Sequence, residues 1–214
     1  MRKNAAGLLG LLGAVILCAG DMLLYGHFGS GFTFEKGARI VALQAPLLRI
    51  YLGGLLGPIC AALYIVGFWH VHQNVSPRAP RPARLIAAGF SLGMIIGGAY
   101  HALWATRQLV LRSAGQSPVE QSELWNAVRG YMELTFAASA VPFLVATLIL
   151  LVVVLAGRSS YPRWTALINP GLLLVFRPLA AHVPGPLGAV LLGGYFNLVF
   201  CLFFAVSVAT TRRA

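Results

Sequence analysis

Seven polar residues lie inside apolar stretches of this 214-residue chain, and they are the first candidates for chemistry. A charge at membrane depth costs several kcal/mol unless it is paired or hydrated, so such groups usually face a bundle interior and take part in function. The set combines carboxylates, a histidine, an amide and guanidinium groups, which can exchange protons and bind anions. Its members are Asp21, Arg49, His101, Arg129, Glu133, Arg177 and Asn197.

The acidic and basic members of this set predict an acid/base site that takes an anion. Asp21 and His101 are the candidate acid and base, and Glu133 is a further candidate catalytic carboxylate. The arginines predict an anion clamp, because guanidinium binds carboxylate and phosphate through paired donors. Three arginines and one histidine against two carboxylates make the set net positive, so we expect an anionic or lipid-like small molecule as the guest. The candidate substrate-binding residues are Arg49, Arg129, Arg177, Asn197, Trp104 and Tyr195.

Residue spacing indicates that these groups face neighbouring helices and not lipid. Gly89, Gly93 and Gly97 step by four and lead to His101, so the histidine continues a glycine face of the kind that lets helices approach closely. Asp21 ends a similar series of small residues on the first helix. Five apolar segments place a polar group on a small-residue face in this way.

Depth along the helices tests whether these groups can meet. At about 1.5 Å per residue, Asp21 lies roughly 22 Å from the start of its helix, and His101 lies roughly 25 Å along its helix from Arg84. Arg177 reaches a similar height, about 20 Å from Trp164. We therefore predict one polar chamber in the outer half of the bundle, open outward or sideways to the outer leaflet, with aromatic side chains as an apolar wall.

Each of these groups also has a plainer explanation. Arg129 and Glu133 are four residues apart, so they can neutralise each other on one helix. Asp21 can form a structural ion pair with an arginine, and His101 can hydrogen-bond across helices without doing chemistry. Arg49 lies close to a helix end and can extend to the membrane surface.

The elements that must position these residues follow from composition. The chain is 58% hydrophobic and 10% charged, with a mean hydropathy of +0.80, which excludes an ordinary soluble domain and a disordered chain. Six apolar segments have the length of about 20 residues that a spanning helix needs. We therefore predict a single membrane domain over residues 1–214, an all-α integral membrane bundle of six transmembrane helices. The predicted helices cover residues 5–28, 47–72, 84–106, 125–156, 164–182 and 187–210.

Basic residues between the segments set the predicted orientation. With the N-terminus in the cytoplasm, one side collects nine basic residues and no acid, so the positive-inside rule predicts that both termini are cytoplasmic (N-in/C-in). The Pro/Arg loop over 73–83 is then cytoplasmic, and the loops over 29–46 and 107–124 are outside. His70 and His72 lie near the cytoplasmic end of their helix and are expected at the interface. The 14 arginines against two lysines are typical of a GC-rich bacterial genome, which indicates the bacterial inner membrane as the cell membrane concerned.

Prolines and cysteines add two further expectations. Asn169-Pro170 and Arg177-Pro178 each remove a backbone donor, so the fifth helix should be kinked at both places. The three cysteines form no C-x-x-C pair and lie in apolar runs, which indicates neither a disulfide framework nor a zinc site. No metal and no cofactor is expected.

Three functions from different classes remain open. The first is a membrane enzyme that modifies an anionic or lipid-like molecule by acid/base chemistry. The second is a small-molecule or proton-coupled transporter, and the third is a non-catalytic membrane scaffold or binding protein. The expected partners are the lipid bilayer and the small-molecule guest, but no nucleic acid, because most basic residues flank apolar segments. Glycine-rich helix faces would also let a second copy pack, so an oligomer is a further expectation.

Overall fold

The architecture is helical throughout the part of the chain that the structure describes. The computed structural model describes residues 3–28, 33–115, 122–183 and 185–211, and these ranges contain no strand. The helices are α1 Lys3–Tyr25, α2 Phe34–Gln44, α3 Leu47–Val75, α4 Pro80–Ala114, α5 Glu123–Leu155, a 3-10 helix Arg163–Ile168, α6 Pro170–Leu174, α7 Arg177–Ala180 and α8 Gly185–Thr211.

Five of these helices, α1, α3, α4, α5 and α8, are long and apolar enough to cross a membrane. Each corresponds to one of the predicted spanning segments. The chain is therefore a helical, multi-pass membrane-type bundle, as its composition predicts. The predicted range of the third spanning helix is too short at both of its charged ends. This helix, α4, extends from Pro80 to Ala114, where the sequence predicts 84–106.

The stretch predicted as one kinked spanning helix, 164–182, is instead divided into the 3-10 helix, α6 and α7. The divisions fall at the two predicted prolines: Pro170 is the first residue of α6, and Pro178 is the second residue of α7. Asn169 fixes the first division, because its side chain accepts a hydrogen bond from Gly171 N at 3.1 Å and donates one to Thr147 O on α5 at 3.1 Å. Hydrogen bonds of the Asn169 side chain therefore take the place of continuous backbone helix bonds at this point.

Contacts between α1 and α8 define the two ends of the bundle. A side chain at Gly7 would meet Val208 at 2.5 Å, whereas Tyr25 lies beside Gly193, with its hydroxyl 3.2 Å from Gly193 O. The two helices are thus antiparallel, so α1 begins where α8 ends. We call this the terminal end of the bundle, and the opposite end, where α1 stops and α8 begins, the far end.

Close helix contacts depend on glycines that face other helices of the same chain. A Cβ at Gly10 would lie 2.7 Å from Gly67 Cα, and one at Gly57 would lie 2.6 Å from Gly98 O. Such contacts let α3 pack against both α1 and α4 with backbones touching. The predicted glycine faces are therefore occupied inside the chain, between neighbouring helices.

Aromatic side chains fill the middle of the bundle. Phe68 and Phe90 stack with ring centroids 4.9 Å apart, and Phe143, Phe200 and Phe204 surround Phe68 at 5.7 to 6.5 Å. Four of these five phenylalanines are completely buried. This aromatic layer separates the polar groups of the far end from those of the terminal end.

The predicted outer loop over 29–46 contains an amphipathic helix, α2. Its start is capped by Thr33, whose hydroxyl accepts from Lys36 N at 3.2 Å. Ala38, Val41 and Ala42 are buried, and α2 packs on α1 and α4 at the far end. This helix therefore covers the final turns of α4 that the sequence predicts as loop.

Candidate functional site

A hydrogen-bonded cluster of five buried side chains joins four helices near the far end. Asp21 of α1 is at its centre: Tyr25 donates to Oδ1, Asn197 Nδ2 donates to Oδ2 at 2.6 Å, and His101 Nδ1 lies 3.4 Å from Oδ1. Tyr64 of α3 completes the set by donating to Asn197 Oδ1 at 2.6 Å. We call Asp21, Tyr25, Tyr64, His101 and Asn197 the inner cluster.

The partners of His101 decide where its protons lie. Nε2 is 2.9 Å from Gly53 O, a carbonyl that can only accept, so Nε2 carries a proton. Nδ1 lies 3.4 Å from the Asp21 carboxylate, so an imidazole nitrogen and a carboxylate face each other in this contact. Proton exchange between the predicted acid and base would need this arrangement.

The inner cluster is closed to solvent. Asp21 is 4% exposed, Asn197 is 3% exposed and His101 is 7% exposed, and each of them has a polar partner. A buried ion pair that is fully hydrogen-bonded also fixes how helices pack. The geometry is thus consistent with proton exchange between Asp21 and His101 and with a structural link between α1, α3, α4 and α8.

Arg49 holds the end of α1. Its guanidinium donates to Leu23 O at 2.9 Å, to Met22 O at 3.0 Å and to Gly26 O at 2.8 Å. Gln108 adds a fourth bond by donating to Leu24 O at 2.8 Å. These carbonyls lie in and just after the last turn of α1, where a cation is favourable, and Met22 O also accepts from Gly26 N at 3.0 Å. Arg49 is thus half-buried on backbone oxygens, neither extended to the surface nor directed at the inner cluster.

The half-buried guanidinium of Arg49 lies at the negative end of the α1 helix dipole. The helix ends inside the protein, and its partial negative charge points toward α3 and α4. The guanidinium of Arg49 and the amide of Gln108 supply hydrogen-bond donors to that end, and no acid takes part. The Asp21 carboxylate one turn earlier therefore stays available to the inner cluster.

A groove of about 870 Å³ lies beside the inner cluster, between α2, α4 and α5. Helices α4 and α5 are in contact as far as Gly97 and Ser139, where Ser139 also donates to Gly93 O at 2.9 Å. Beyond that level the groove lies between Tyr100 and Phe136, whose ring centroids are 5.4 Å apart, and the contact of Trp125 with Val110 and Leu111. The volume is within the range of small-molecule sites, which are concave and mostly apolar.

Arg107 is the buried cation of this groove. Its guanidinium carbon lies 4.6 Å from the ring centre of Trp104 and 5.0 Å from that of Trp125, so two indoles make cation–π contacts with it. Nη2 donates to Glu35 Oε2 on α2 at 2.5 Å. Nη1 is buried and has no hydrogen-bond partner, which leaves a charged donor desolvated without compensation.

The other charged residues that line the groove are less buried than Arg107. Arg129 donates to Glu133 at 2.8 Å on the exposed surface of α5, so the predicted neutralising pair is present. Lys36 and Arg39 of α2 also line the groove. With four cations against Glu35 and Glu133, the lining has a formal charge of +2.

The single chamber predicted from the sequence is divided into two places. Asp21, His101 and Asn197 meet in the inner cluster, whereas Trp104, Arg129 and Glu133 line the groove. The two places adjoin, because the rings of Tyr25 and Trp104 contact edge to face at 5.4 Å. The other predicted residues line neither place: Arg49 is on the end of α1, Arg177 is exposed on α7 within electrostatic range of Tyr100 in the groove wall, and Tyr195 donates to Leu173 O at 2.8 Å.

The sequence analysis missed Arg107, Tyr25 and Tyr64 as site residues. Spacing contained part of the signal, since Tyr25 follows Asp21 by four residues and Arg107 follows Trp104 by three, and such pairs share a helix face. Tyr64 has no comparable sequence signal, because its partner Asn197 is 133 residues away.

A second buried polar cluster lies at the terminal end, where interfacial histidines are expected. His70 is completely buried, which contradicts that expectation, and its Nε2 is 3.0 Å from Ser207 Oγ. Tyr161 in the turn after α5 lies 2.7 Å from the same oxygen, and burial raises the pKa of its hydroxyl. Asn74 accepts from Ser160 N at 2.8 Å and so joins α3 to this turn.

Metal ligation has no candidate within the described ranges, where His, Cys, Asp and Glu do not gather in groups of three. The inner cluster supplies one carboxylate and one imidazole only.

Comparison with known proteins gives a family. The sequence matches the family of unknown function DUF6796 over residues 1–213, so the chain belongs to that family. No curated protein and no solved structure matches the chain significantly. The function must therefore be argued from the two sites described above.

Proposed function

We propose that this member of DUF6796 binds an anionic, lipid-like molecule in the groove between α2, α4 and α5. The observation that carries the proposal is the Nη1 of Arg107, a buried charged donor without a partner in the wall of an 870 Å³ groove. A guest with a carboxylate or phosphate oxygen would supply the missing bond.

The walls of the groove favour a guest that is part apolar. Trp104, Trp125, Met132 and Phe136 line it together with the cations. The outer surface of α5 beside it exposes large apolar side chains such as Leu134, which in a membrane would face lipid. An amphiphile could therefore enter sideways from the bilayer with its charged group toward Arg107.

In this proposal the inner cluster supplies acid/base chemistry behind the groove. Asp21 and His101 face each other there, and the ring of Tyr25, whose hydroxyl bonds Asp21, packs on Trp104 of the groove wall, so a guest that moves Trp104 would open the groove to the cluster. Glu133 is the third candidate catalytic residue and lines the groove itself. Among the candidate binding residues, Trp104 and Arg129 would contact the guest, whereas Arg49, Asn197, Arg177 and Tyr195 would support the surrounding helices.

We further propose six membrane crossings with both termini in the cytoplasm of a bacterial cell, in the inner membrane. The antiparallel contact of α1 and α8 supports this, because it brings the start of α1 and the end of α8 to one end. The sixth crossing would be the broken stretch 163–182. Exposed arginines at the terminal end and acids at the far end agree with the positive-inside rule.

Native mass spectrometry of the gently solubilised protein tests the binding proposal. The wild type should carry a co-purifying anionic molecule, and Arg107→Gln should lose it. Arg84→Gln is the matched control, because Arg84 is an exposed arginine of the same helix at the terminal end. A folded wild type without any bound molecule would contradict the proposal.

The two other candidate functions predict different results in the same samples. A transporter would bind its cargo weakly and show uptake in vesicles that depends on Arg107. A scaffold would lose thermal stability in the variants but show no bound molecule. Loss of the bound molecule in Arg107→Gln, with thermal stability retained, would support binding in the groove.

A further inference from the structure

Glu35 occupies the position on Arg107 that a guest anion would take. The Glu35 carboxylate meets Nη2 of Arg107 with one oxygen at 2.5 Å, while the neighbouring Nη1 has no partner. A guanidinium edge normally presents two parallel donors to one carboxylate. The bond from Glu35 therefore uses half of the recognition capacity of this edge.

Exposure of the two partners is unequal. The Glu35 side chain is 74% exposed, whereas that of Arg107 is 9% exposed. Moving the Glu35 carboxylate fully into water costs little, because ion pairs with an exposed partner contribute little to stability. Arg107 by contrast stays buried against two indoles. Its charge therefore needs an anion beside it, whether Glu35 or a guest supplies that anion.

The charge of Glu35 indicates what the guest carries. Arg107 is the most deeply buried of the groove cations, and Glu35 balances it one to one. A monoanion that replaces Glu35 keeps that balance. The Glu35 oxygen on Nη2 shows in addition that a carboxylate can reach the guanidinium of Arg107, which packs against Trp104 and Trp125.

We propose that Glu35 is a built-in competitor, and that the guest is a long-chain carboxylate whose headgroup displaces the Glu35 carboxylate and bonds Nη1 and Nη2 of Arg107 together. The proposal rests on the function proposed above and adds the chemical class of the guest and its control by α2. Glu35 lies in the first turn of α2, so release of its side chain would free that end of the helix from α4.

Bromine quenching of tryptophan fluorescence provides a direct test. Two of the four tryptophans, Trp104 and Trp125, line the groove, and replacing Trp69 and Trp164 by Phe removes the background signal. The protein with these two replacements is placed in phosphatidylcholine nanodiscs and titrated with dibromostearate. Saturable quenching reports a carboxylate chain in the groove.

Three variants in this background define the outcome. Glu35→Gln keeps the shape of the side chain but removes its charge, and it should tighten dibromostearate binding about fivefold. Glu123→Gln removes an exposed acid of α5 that lies outside the groove, and it should leave the affinity unchanged. Arg107→Gln should abolish saturable quenching.

Failure of this inference and failure of the binding proposal give different results. Equal or weaker binding by Glu35→Gln, with saturable binding in its parent, would overturn the competitor role and leave groove binding intact. Saturable quenching by brominated phosphatidylglycerol but not by dibromostearate would overturn the carboxylate class alone. No saturable quenching by either probe, with no molecule in the native mass spectrum, would overturn both.

Discussion

The imidazole of His101 connects α4 to both of its inner neighbours: Nδ1 lies 3.4 Å from Asp21 Oδ1 on α1, and Nε2 lies 2.9 Å from Gly53 O on α3. A single ring thus bridges three helices through its two nitrogens. Because Gly53 O fixes one proton on Nε2, the contact with Asp21 is the part of the arrangement in which a proton can move.

Asp21→Asn should destabilise the protein strongly. The change removes the carboxylate that faces His101 and leaves one acceptor oxygen where Tyr25 and Asn197 Nδ2 now have two. Breaking a buried pair by removing one partner costs about 3 to 5 kcal/mol. Thermal unfolding in detergent, followed by circular dichroism, measures the effect. An unchanged melting temperature would exclude a buried ion pair.

Gly57→Ala should also destabilise, through backbone contact. The added Cβ would lie 2.6 Å from Gly98 O, so α3 and α4 would have to separate, at about 1 to 3 kcal/mol for such overpacking. Gly130→Ala on α5 is the matched control, since a Cβ there meets nothing within 4 Å. The control should be neutral or stabilising, because alanine is the better helix former. Equal melting temperatures for the two variants would contradict the close packing.

Arg49→Gln should loosen the end of α1. Three backbone carbonyls lose a charged donor, which we expect to cost about 1 to 3 kcal/mol for bonds of this kind. Hydrogen exchange should increase in residues 21–28, with little change in α5. Arg129→Gln, which breaks only an exposed pair, should change stability by less than about 0.5 kcal/mol. Protection of 21–28 that survives Arg49→Gln would rule out the capping role.

Reporter fusions test the proposed orientation. Fusions after Ser76 and after Arg213 should report the cytoplasm, and a fusion within 116–123 should report the outside. A reversal at any of the three positions would contradict the proposed N-in/C-in arrangement.

The apolar segments were enough to predict the bundle, because length and hydropathy decide whether a helix can cross a membrane. The same criterion missed the end of α4. Arg107, Gln108 and Arg112 lower its hydropathy, yet these turns are helical because Gln108 and Arg112 bond backbone carbonyls of other segments and α2 covers them. Local composition cannot show such a partner.

For the candidate site, similar depth indicated that Asp21, His101 and Asn197 can meet, as they do. The predicted direction of His101 was wrong, because the glycine face of Gly89, Gly93 and Gly97 packs on α5 whereas His101 faces α1 and α3. Depth alone could not separate the three meeting residues from Arg129 and Glu133. Those two residues pair with each other on the exposed side of α5 and line the groove, and which side of a helix a neighbour leaves open has no signature in single residues.

The aromatic layer around Phe68 has an implication for energy conservation. Its rings close the route between the groove end of the molecule and the end that holds His70 and Ser207. A guest that enters beside Arg107 would leave through the same opening, and ions would find no passage behind it. In a membrane that stores a proton gradient, the protein would exchange its guest with one leaflet and leave the gradient unchanged. A transporter would have to separate these five rings in every cycle.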